Sequence, residues 1–339
     1  METDRIKYLD IAKGFGMMFI VWAHANGLFA NQFLLVSVGM FFLISGFLHN
    51  KTTEFKEFLS KKFFRLYLPF ICCNLFLPTI VLIKRSLLNL EIKDNLIYIL
   101  KIFLTVEKDG FLFGATWFLG SLFLISVTIK ALETIIKSDN KHTLIFLITL
   151  VLVFISNSVF NFSFGARRTI IGALFYIIGI MLKNHEQLLK TYQSNKWYIN
   201  TVIMITLILC WNNVNLFKYN NYNILSLILL TITTLIFYVL ILKISKFTEI
   251  KLLKFSDFTA LIGRHSLSIL LWQFVFIEIF TAIILYTNGI SITMIERLPH
   301  VVCKSYICIF LYFIFGLCGP LILTKLYKIC ISQLFTKQR

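Results

Sequence analysis

Long apolar runs constrain what this chain can fold into more than any other feature of its sequence. We count ten stretches of roughly 17–25 largely apolar residues, a length that crosses the hydrocarbon core of a bilayer as one α-helix. Hydrophobic residues make up 58% of the 339 residues, so a water-soluble domain would have to cover its surface with Leu, Ile and Phe. The sequence therefore predicts an all-α, polytopic integral membrane protein in which residues 1–339 form a single domain.

The apolar runs also predict where the membrane spans lie. A further segment, 95–106, is apolar but short, and we expect it to be interfacial or re-entrant rather than an eleventh span. An even number of spans places both termini on the same side of the membrane. The predicted spans lie near 11–30, 33–50, 67–83, 111–130, 143–162, 169–183, 198–217, 222–243, 266–287 and 305–331.

The basic residues report the orientation of these spans. The formal net charge is +17, but Lys and Arg occur in short clusters between the apolar runs. With the N-terminus placed in the cytoplasm, 23 of the 33 Lys and Arg residues fall in inner segments and 10 in outer segments, which is the bias of the positive-inside rule. We therefore expect both termini in the cytoplasm, and no nucleic-acid partner. The first run lacks a small-residue cleavage site, so we expect it to be retained.

The stretch 5–26 carries ionisable side chains into the first apolar run. On an α-helix, Lys13 and His24 share a face about 16 Å apart along the axis, and Asp10 lies about 40° from the same line. Ionisable residues inside a membrane usually face a bundle interior or a watery cavity. His24 either takes a proton from a hydroxyl group or hydrogen-bonds another helix without chemistry. Asp10 either pairs with Lys13 or Arg5 or is an ordinary helix-start carboxylate.

A cluster of basic residues precedes the third predicted span. Lys61, Lys62 and Arg65 lie in KKFFRLYLP, where they either anchor the helix at the inner membrane surface or bind phosphate groups. Together with Arg5 and Lys13 they would place five cations at one cytoplasmic mouth. That many cations are enough to bind a polyanionic cofactor.

Other polar residues lie near the predicted outer side or deeper in the later spans. Gln273 and Glu278 are about 140° apart around the ninth span, so they do not share a face. Arg167 and Arg168 contradict the positive-inside bias, which favours either an anionic acceptor or an ion pair with Glu278. Trp117 is either an interfacial anchor or a substrate contact.

Several sequence motifs restrict the chemistry further. The motifs of serine hydrolases, P-loop ATPases and zinc proteases are absent, and the seven Cys residues have no paired metal-ligand spacing, so we expect no metal. Ser45 and Gly46 resemble the small residues that allow close helix packing. His49 and His142 fall at span ends, and we assign them no role.

The segment RIKYLDIAKGFGMMFIVWAH resembles the first span of the acyltransferase 3 family, whose members are integral-membrane O-acyltransferases such as polysaccharide and fucose O-acetylases. The family pattern is R-x-x-x-L-D-x-x-[KR]-G, an apolar run and then His, which here places the basic residue at Lys13 and the histidine at His24. MFFLISGFL, KKFFRLYLPF, TWFLGSLF, RRTIIGALFYIIGIML and IGRHSLSILLWQF are similar to later elements of the family. Their order and spacing agree along nearly the whole chain.

Two departures from the family pattern remove histidines. Relatives that resemble fucose acetylases often have His-Met-Pro where this chain has Ser37, Val38 and Gly39, and family members often have His where this chain has Gln273. Both changes concentrate the role of base on His24.

The resemblance implies transfer of an acetyl group from acetyl-CoA to a sugar hydroxyl of a surface polysaccharide or its lipid-linked precursor, in the cell membrane. The implied partners are the bilayer and the glycan acceptor. His24 would act as the base or accept the acetyl group first, with Asp10 assisting in the catalytic set. The implied donor contacts are Arg5, Lys13, Lys62 and Arg65, and the implied acceptor contacts are Trp117, Arg167, Arg168, Gln273 and Glu278.

A transporter or flippase of polar lipids or sugars is the alternative function. Ten spans with buried charge suit a transporter as well as they suit an enzyme. The sequence shows no clear inverted repeats with helices broken by Gly or Pro at matching positions, and this argues against transport.

Overall fold

The computed structural model describes residues 6–50, 52–76, 115–158, 164–184, 224–291, 301–303 and 305–336. The regular elements in these ranges are helices, which confirms the predicted all-α class. They are α1 (Lys7–His24), α2 (Ala30–Phe47), α3 (Phe55–Lys62), α4 (Trp117–Ile135), α5 (Lys141–Ser158), α6 (Phe164–Asn184), α7 (Ile224–Lys251), α8 (Leu253–Arg264), α9 (Ser266–Thr287) and α10 (Tyr306–Thr336), with a π-helical turn at Phe63–Tyr67 after α3.

Six helices within the described ranges are long and apolar enough to cross a membrane, so the chain is a polytopic membrane protein. The predicted span near 198–217 and the short segment 95–106 lie outside the described residues, as does the end of the span near 67–83. The total of ten spans and the cytoplasmic termini therefore stay predictions. The six are Ala30–Phe47, Trp117–Ile135, Gly165–Lys183, Ser226–Lys251, Ser266–Thr287 and Tyr306–Tyr327.

The boundaries of the helices follow local backbone chemistry as well as hydrophobicity. The ninth predicted span, 266–287, coincides with α9. The first predicted span, 11–30, is too long, because α1 ends at His24. Asn26 and Phe29 have φ values of 60° and 56°, and a left-handed residue directly after a helix ends it.

The chain divides into two compact units, each with its own apolar core. Unit 1 comprises Met1–Leu34 and Ile244–Arg339, and unit 2 comprises Leu35–Lys243. The core of unit 1 includes Leu9, Ile11, Val21, Ile262, Ile269 and Ile277. The core of unit 2 includes Met40, Leu43, Ile125, Phe175, Tyr176 and Phe237.

In unit 1, α1 and α8 approach each other backbone to backbone. A Cβ atom added at Gly263 would overlap the carbonyl oxygen of Asp10, and one added at Gly14 would overlap that of Thr259. Glycine is therefore required on both helices for this approach, as in the close helix packing of membrane proteins. Both glycines belong to segments that resemble the acyltransferase 3 family.

In unit 2, α2 and α6 approach each other backbone to backbone in the same way. A Cβ at Gly46 would overlap the carbonyl oxygen of Tyr176, and one at Gly179 would overlap that of Leu43. The prediction that Ser45 and Gly46 allow close packing is therefore confirmed for Gly46.

Gly263→Ala should destabilise unit 1, because the added methyl group meets backbone atoms that cannot rotate away. We expect a loss of about 1–3 kcal/mol or more in the free energy of unfolding, measured by thermal denaturation of the purified protein in detergent. Leu261→Ala, at an exposed position of the same helix, is the control and should change stability less. Equal unfolding midpoints for the two variants would contradict the close-approach account.

Candidate functional site

His24 is the last residue of α1, and the turn that follows sets where it lies. The Gly27 N–H donates to the Trp22 carbonyl at 3.0 Å, and the Asn26 N–H donates to the Ala23 carbonyl at 3.1 Å. This pair of bonds around a left-handed residue is a Schellman motif. It ends the helix at His24, two residues after Trp22, and leaves His24 half-buried in the last turn.

The imidazole of His24 is held by residues of α9. Its Nδ1 lies 3.1 Å from Oε1 of Gln273, and its ring centroid lies 4.5 Å from that of Phe274. Gln273 is fully buried, and its Nε2 donates to the Leu270 carbonyl at 3.3 Å. The structure places Gln273 against His24, and its predicted contact with the acceptor stays a prediction.

Asp10 and Lys13 lie near the other end of α1. The Oδ1 atom of Asp10 is 3.2 Å from Nζ of Lys13, and both side chains are partly or largely buried. The helical rise separates Asp10 from His24 by about 21 Å, so in the structure this carboxylate contacts Lys13 and not His24. The place of Asp10 in a catalytic set stays a prediction. The face of α1 from Lys13 to His24 is called the stripe. Met17, midway along it, is 2% exposed. Arg5 lies outside the described residues.

The basic cluster before the third predicted span lies in unit 2. Nζ of Lys62 is 5.3 Å from the centroid of the Phe58 ring, while Arg65 is exposed in the π-helical turn, a type of distortion that is frequent at functional sites. Burial, followed by the charge of Arg65, lowers the pKa of Lys62 to about 8. Lys13 belongs to unit 1, so a shared cationic mouth stays a prediction.

Two of the predicted acceptor contacts meet in unit 2. The guanidinium carbon of Arg168 lies 5.0 Å from the centroid of the Trp117 ring, which is a cation–π distance. The same two helices are joined by a hydrogen bond of 2.7 Å between the hydroxyl groups of Ser121 and Thr169. The predicted pairing of Glu278, in unit 1, with either arginine stays a prediction.

A buried polar cluster in unit 2 was not predicted from the sequence. Glu133 on α4 accepts hydrogen bonds from two imidazoles, from Nε2 of His49 at 3.0 Å and from Nε2 of His142 at 2.9 Å. The Nδ1 atom of His49 lies 2.8 Å from the hydroxyl of Tyr176. Nζ of Lys130 lies 3.9 Å from the carboxylate. One carboxylate thus connects the end of α2 with α4, α5 and α6.

The hydrogen bonds of this cluster assign its protons. An ionised Glu133 only accepts, so His49 must donate from Nε2. In the neutral imidazole, Nδ1 then accepts a hydrogen bond from the hydroxyl of Tyr176. The positive charge of Lys130 compensates the negative charge of Glu133. One sequence feature indicates that these residues could meet, because His49, Glu133 and His142 all fall at span ends on the same predicted side of the membrane.

Glu133→Gln should destabilise unit 2, because an NH₂ group replaces one of the two oxygens that accept from the imidazoles of His49 and His142, and because Lys130 loses its counter-charge. We expect a loss of about 3 kcal/mol in the free energy of unfolding, measured by thermal denaturation in detergent. Glu57→Gln removes an exposed ion pair with Lys61 and should cost only about 0–1 kcal/mol. Equal costs for the two variants would show that the buried cluster does not stabilise the fold.

One of three comparisons with known proteins identifies the family of this chain. A family model described as an acyltransferase domain matches residues 6–325, nearly the whole chain. Searches of curated proteins and of solved structures find no significant match. The matched region begins just before α1 and includes His24, Gln273 and the basic cluster of α3. The chain is thus an integral-membrane protein that belongs to the acyltransferase 3 family.

Proposed function

We propose that this membrane acyltransferase moves an acetyl group from cytoplasmic acetyl-CoA to a sugar hydroxyl of a cell-surface polysaccharide or its lipid-linked precursor. The proposal places the protein in the cell membrane. The observation that supports it most strongly is the half-buried imidazole of His24, held by Gln273 at 3.1 Å in the last turn of α1. A histidine held in place by a second polar side chain is the usual arrangement of a general base.

The base at His24 would take the proton of the acceptor hydroxyl as its oxygen attacks the acetyl carbonyl. The C–O bond of the ester forms, the C–S bond of the thioester breaks, and the leaving thiolate receives the proton. In the second route, His24 attacks first and forms an acetyl-imidazole, which the hydroxyl then attacks. Both routes give the same ester and the same thiol. The C-terminal end of α1 favours the positive charge that the imidazole acquires in either route.

The cations would bind the donor. Arg5, Lys13, Lys62 and Arg65 match the phosphate groups of CoA in charge, and arginine can bind a phosphate through two parallel hydrogen bonds. The stripe from Lys13 to His24 is about 16 Å long and would guide the acyl-bearing arm. Since Met17 is buried between the two ends, the arm would run beside it.

The pair formed by Trp117 and Arg168 would contribute to the acceptor site. An aromatic ring offers an apolar face to a sugar ring, while a guanidinium group donates hydrogen bonds to hydroxyl or carboxylate oxygens. Arg167, on the same turn of α6, would add a second positive charge for an acidic glycan. Glu278 would add a hydrogen-bond acceptor from α9.

His24→Ala should abolish acetylation of the acceptor while the protein still inserts into the membrane, because loss of a general base lowers the rate by about 10²–10⁴-fold. Mass spectrometry of the surface glycan from cells with the wild-type protein, the variant or neither measures this. Full acetylation by His24→Ala would remove His24 from the mechanism. Loss of the whole glycan from the surface, rather than of its acetyl groups, would favour a transporter.

Lys13→Ala should instead weaken donor binding, visible as a higher KM for acetyl-CoA.

The affinity for the donor should fall as the pH rises through 8, because Lys62 with its lowered pKa of about 8 loses its charge there. We expect the KM for acetyl-CoA to rise by about tenfold between about pH 7 and pH 9, measured in inverted membrane vesicles. Lys62→Arg is the matched control, since a guanidinium group stays protonated and the KM should stay flat. The same rise in both proteins would exclude Lys62 from donor binding.

A further inference from the structure

The amide group of Gln273 has a defined orientation. Its Nε2 lies 3.3 Å from the Leu270 carbonyl oxygen, and its Oε1 lies 3.1 Å from Nδ1 of His24. Rotating the amide by 180° would place two oxygen atoms against each other at the Leu270 carbonyl, because a carbonyl oxygen only accepts hydrogen bonds. Gln273 is fully buried, where an unmade hydrogen bond costs about 1–3 kcal/mol. The amide therefore presents a hydrogen-bond acceptor, its oxygen, to His24.

A hydrogen-bond acceptor at this position determines which nitrogen of His24 carries the proton. Nδ1 must donate to Oε1 of Gln273, so in the neutral imidazole the lone pair lies on Nε2. We infer that Gln273 is a positioning residue, which selects the tautomer of His24 and makes Nε2 the nitrogen that reacts. Phe274, with its ring centroid at 4.5 Å from that of the imidazole and tilted by 49°, restricts rotation of the ring.

The chemistry of an amide has a further consequence for the proton. A glutamine side chain accepts a hydrogen bond but does not take up a proton, whereas a histidine at the same place could. Nδ1 of His24 therefore keeps its proton throughout the reaction. The proton from the acceptor hydroxyl binds Nε2 as the O–H bond breaks, and it leaves Nε2 again when the S–H bond of the thiol forms.

The inference rests on the proposed function only where it concerns the reaction, because the tautomer exists in the resting protein. Solid-state NMR of the ¹⁵N-histidine-labelled protein in liposomes tests the tautomer without any activity. Subtracting the spectrum of His24→Ala isolates the signals of His24 from those of the other five histidines, the chain having 6 in all. We expect a protonated Nδ1 and an unprotonated Nε2.

Three variants of α9 separate a positioning role from a merely structural one. Gln273→Leu, which has a similar volume and no hydrogen-bond acceptor, should shift His24 toward the tautomer protonated at Nε2. Gln273→Glu, which keeps a hydrogen-bond acceptor, should retain a protonated Nδ1. Ser268→Ala removes a 2.6 Å hydrogen bond with Thr324, so it perturbs the same helix and should leave the His24 signals unchanged. A wild-type His24 protonated at Nε2 alone, or an unchanged tautomer in Gln273→Leu, would overturn the inference.

Kinetics gives the second readout. Gln273→Leu should lower kcat by about 10–100-fold with an unchanged KM for acetyl-CoA, as expected when an orienting partner of a reactive histidine is lost. Gln273→Glu should shift the ascending limb of the pH–rate profile upward by about 1 pH unit, because a carboxylate favours the imidazolium. An unchanged kcat in Gln273→Leu would overturn the positioning role. A wild-type protein with the expected tautomer but no acetyl transfer would overturn the proposed function alone.

Discussion

The close approach of α1 and α8 is the interaction on which the candidate site depends. Gly14 and Gly263 allow the two backbones to meet, and no larger side chain fits at either position. α9 begins directly after α8, so the same approach carries Gln273 toward the level of His24. Gly14 and Gly263 therefore set the contact between the helices. The polar residue His24 depends on that contact for its partner Gln273.

Several charged, imidazole and amide side chains in the described helices are arranged as the low-dielectric interior of a membrane protein requires. An unpaired polar group there costs several kcal/mol, and the prominent polar residues lie against one another, as His24 does with Gln273 and Asp10 with Lys13. The cluster around Glu133 follows the same rule on a larger scale and connects α4, α5 and α6 with the segment directly after α2. The two arrangements differ in exposure, because His24 is half-buried and suited to meet a substrate, while His49 is 1% exposed.

Much of the fold could be predicted from the sequence, because the length and hydrophobicity of a span are local properties. The ninth span is an example, with predicted and observed bounds that coincide at 266–287. A pair within one helix, such as Asp10 with Lys13, could be predicted from spacing, but partners on different helices could not, since tertiary packing sets them. His24 and Gln273 are 249 residues apart in the chain, and nothing in the periodicity of either helix relates them. The cluster of His49, Glu133 and His142 was missed for the same reason.

The central claim is that this chain catalyses acyl transfer at the end of α1. The most direct test uses the purified protein in liposomes, with acetyl-CoA labelled in its acetyl group and glycan acceptor extracted from the cells that make it. The account predicts that the label appears on the glycan as an ester, which hydroxylamine releases. Movement of the glycan across the membrane with no label attached to it would contradict the account.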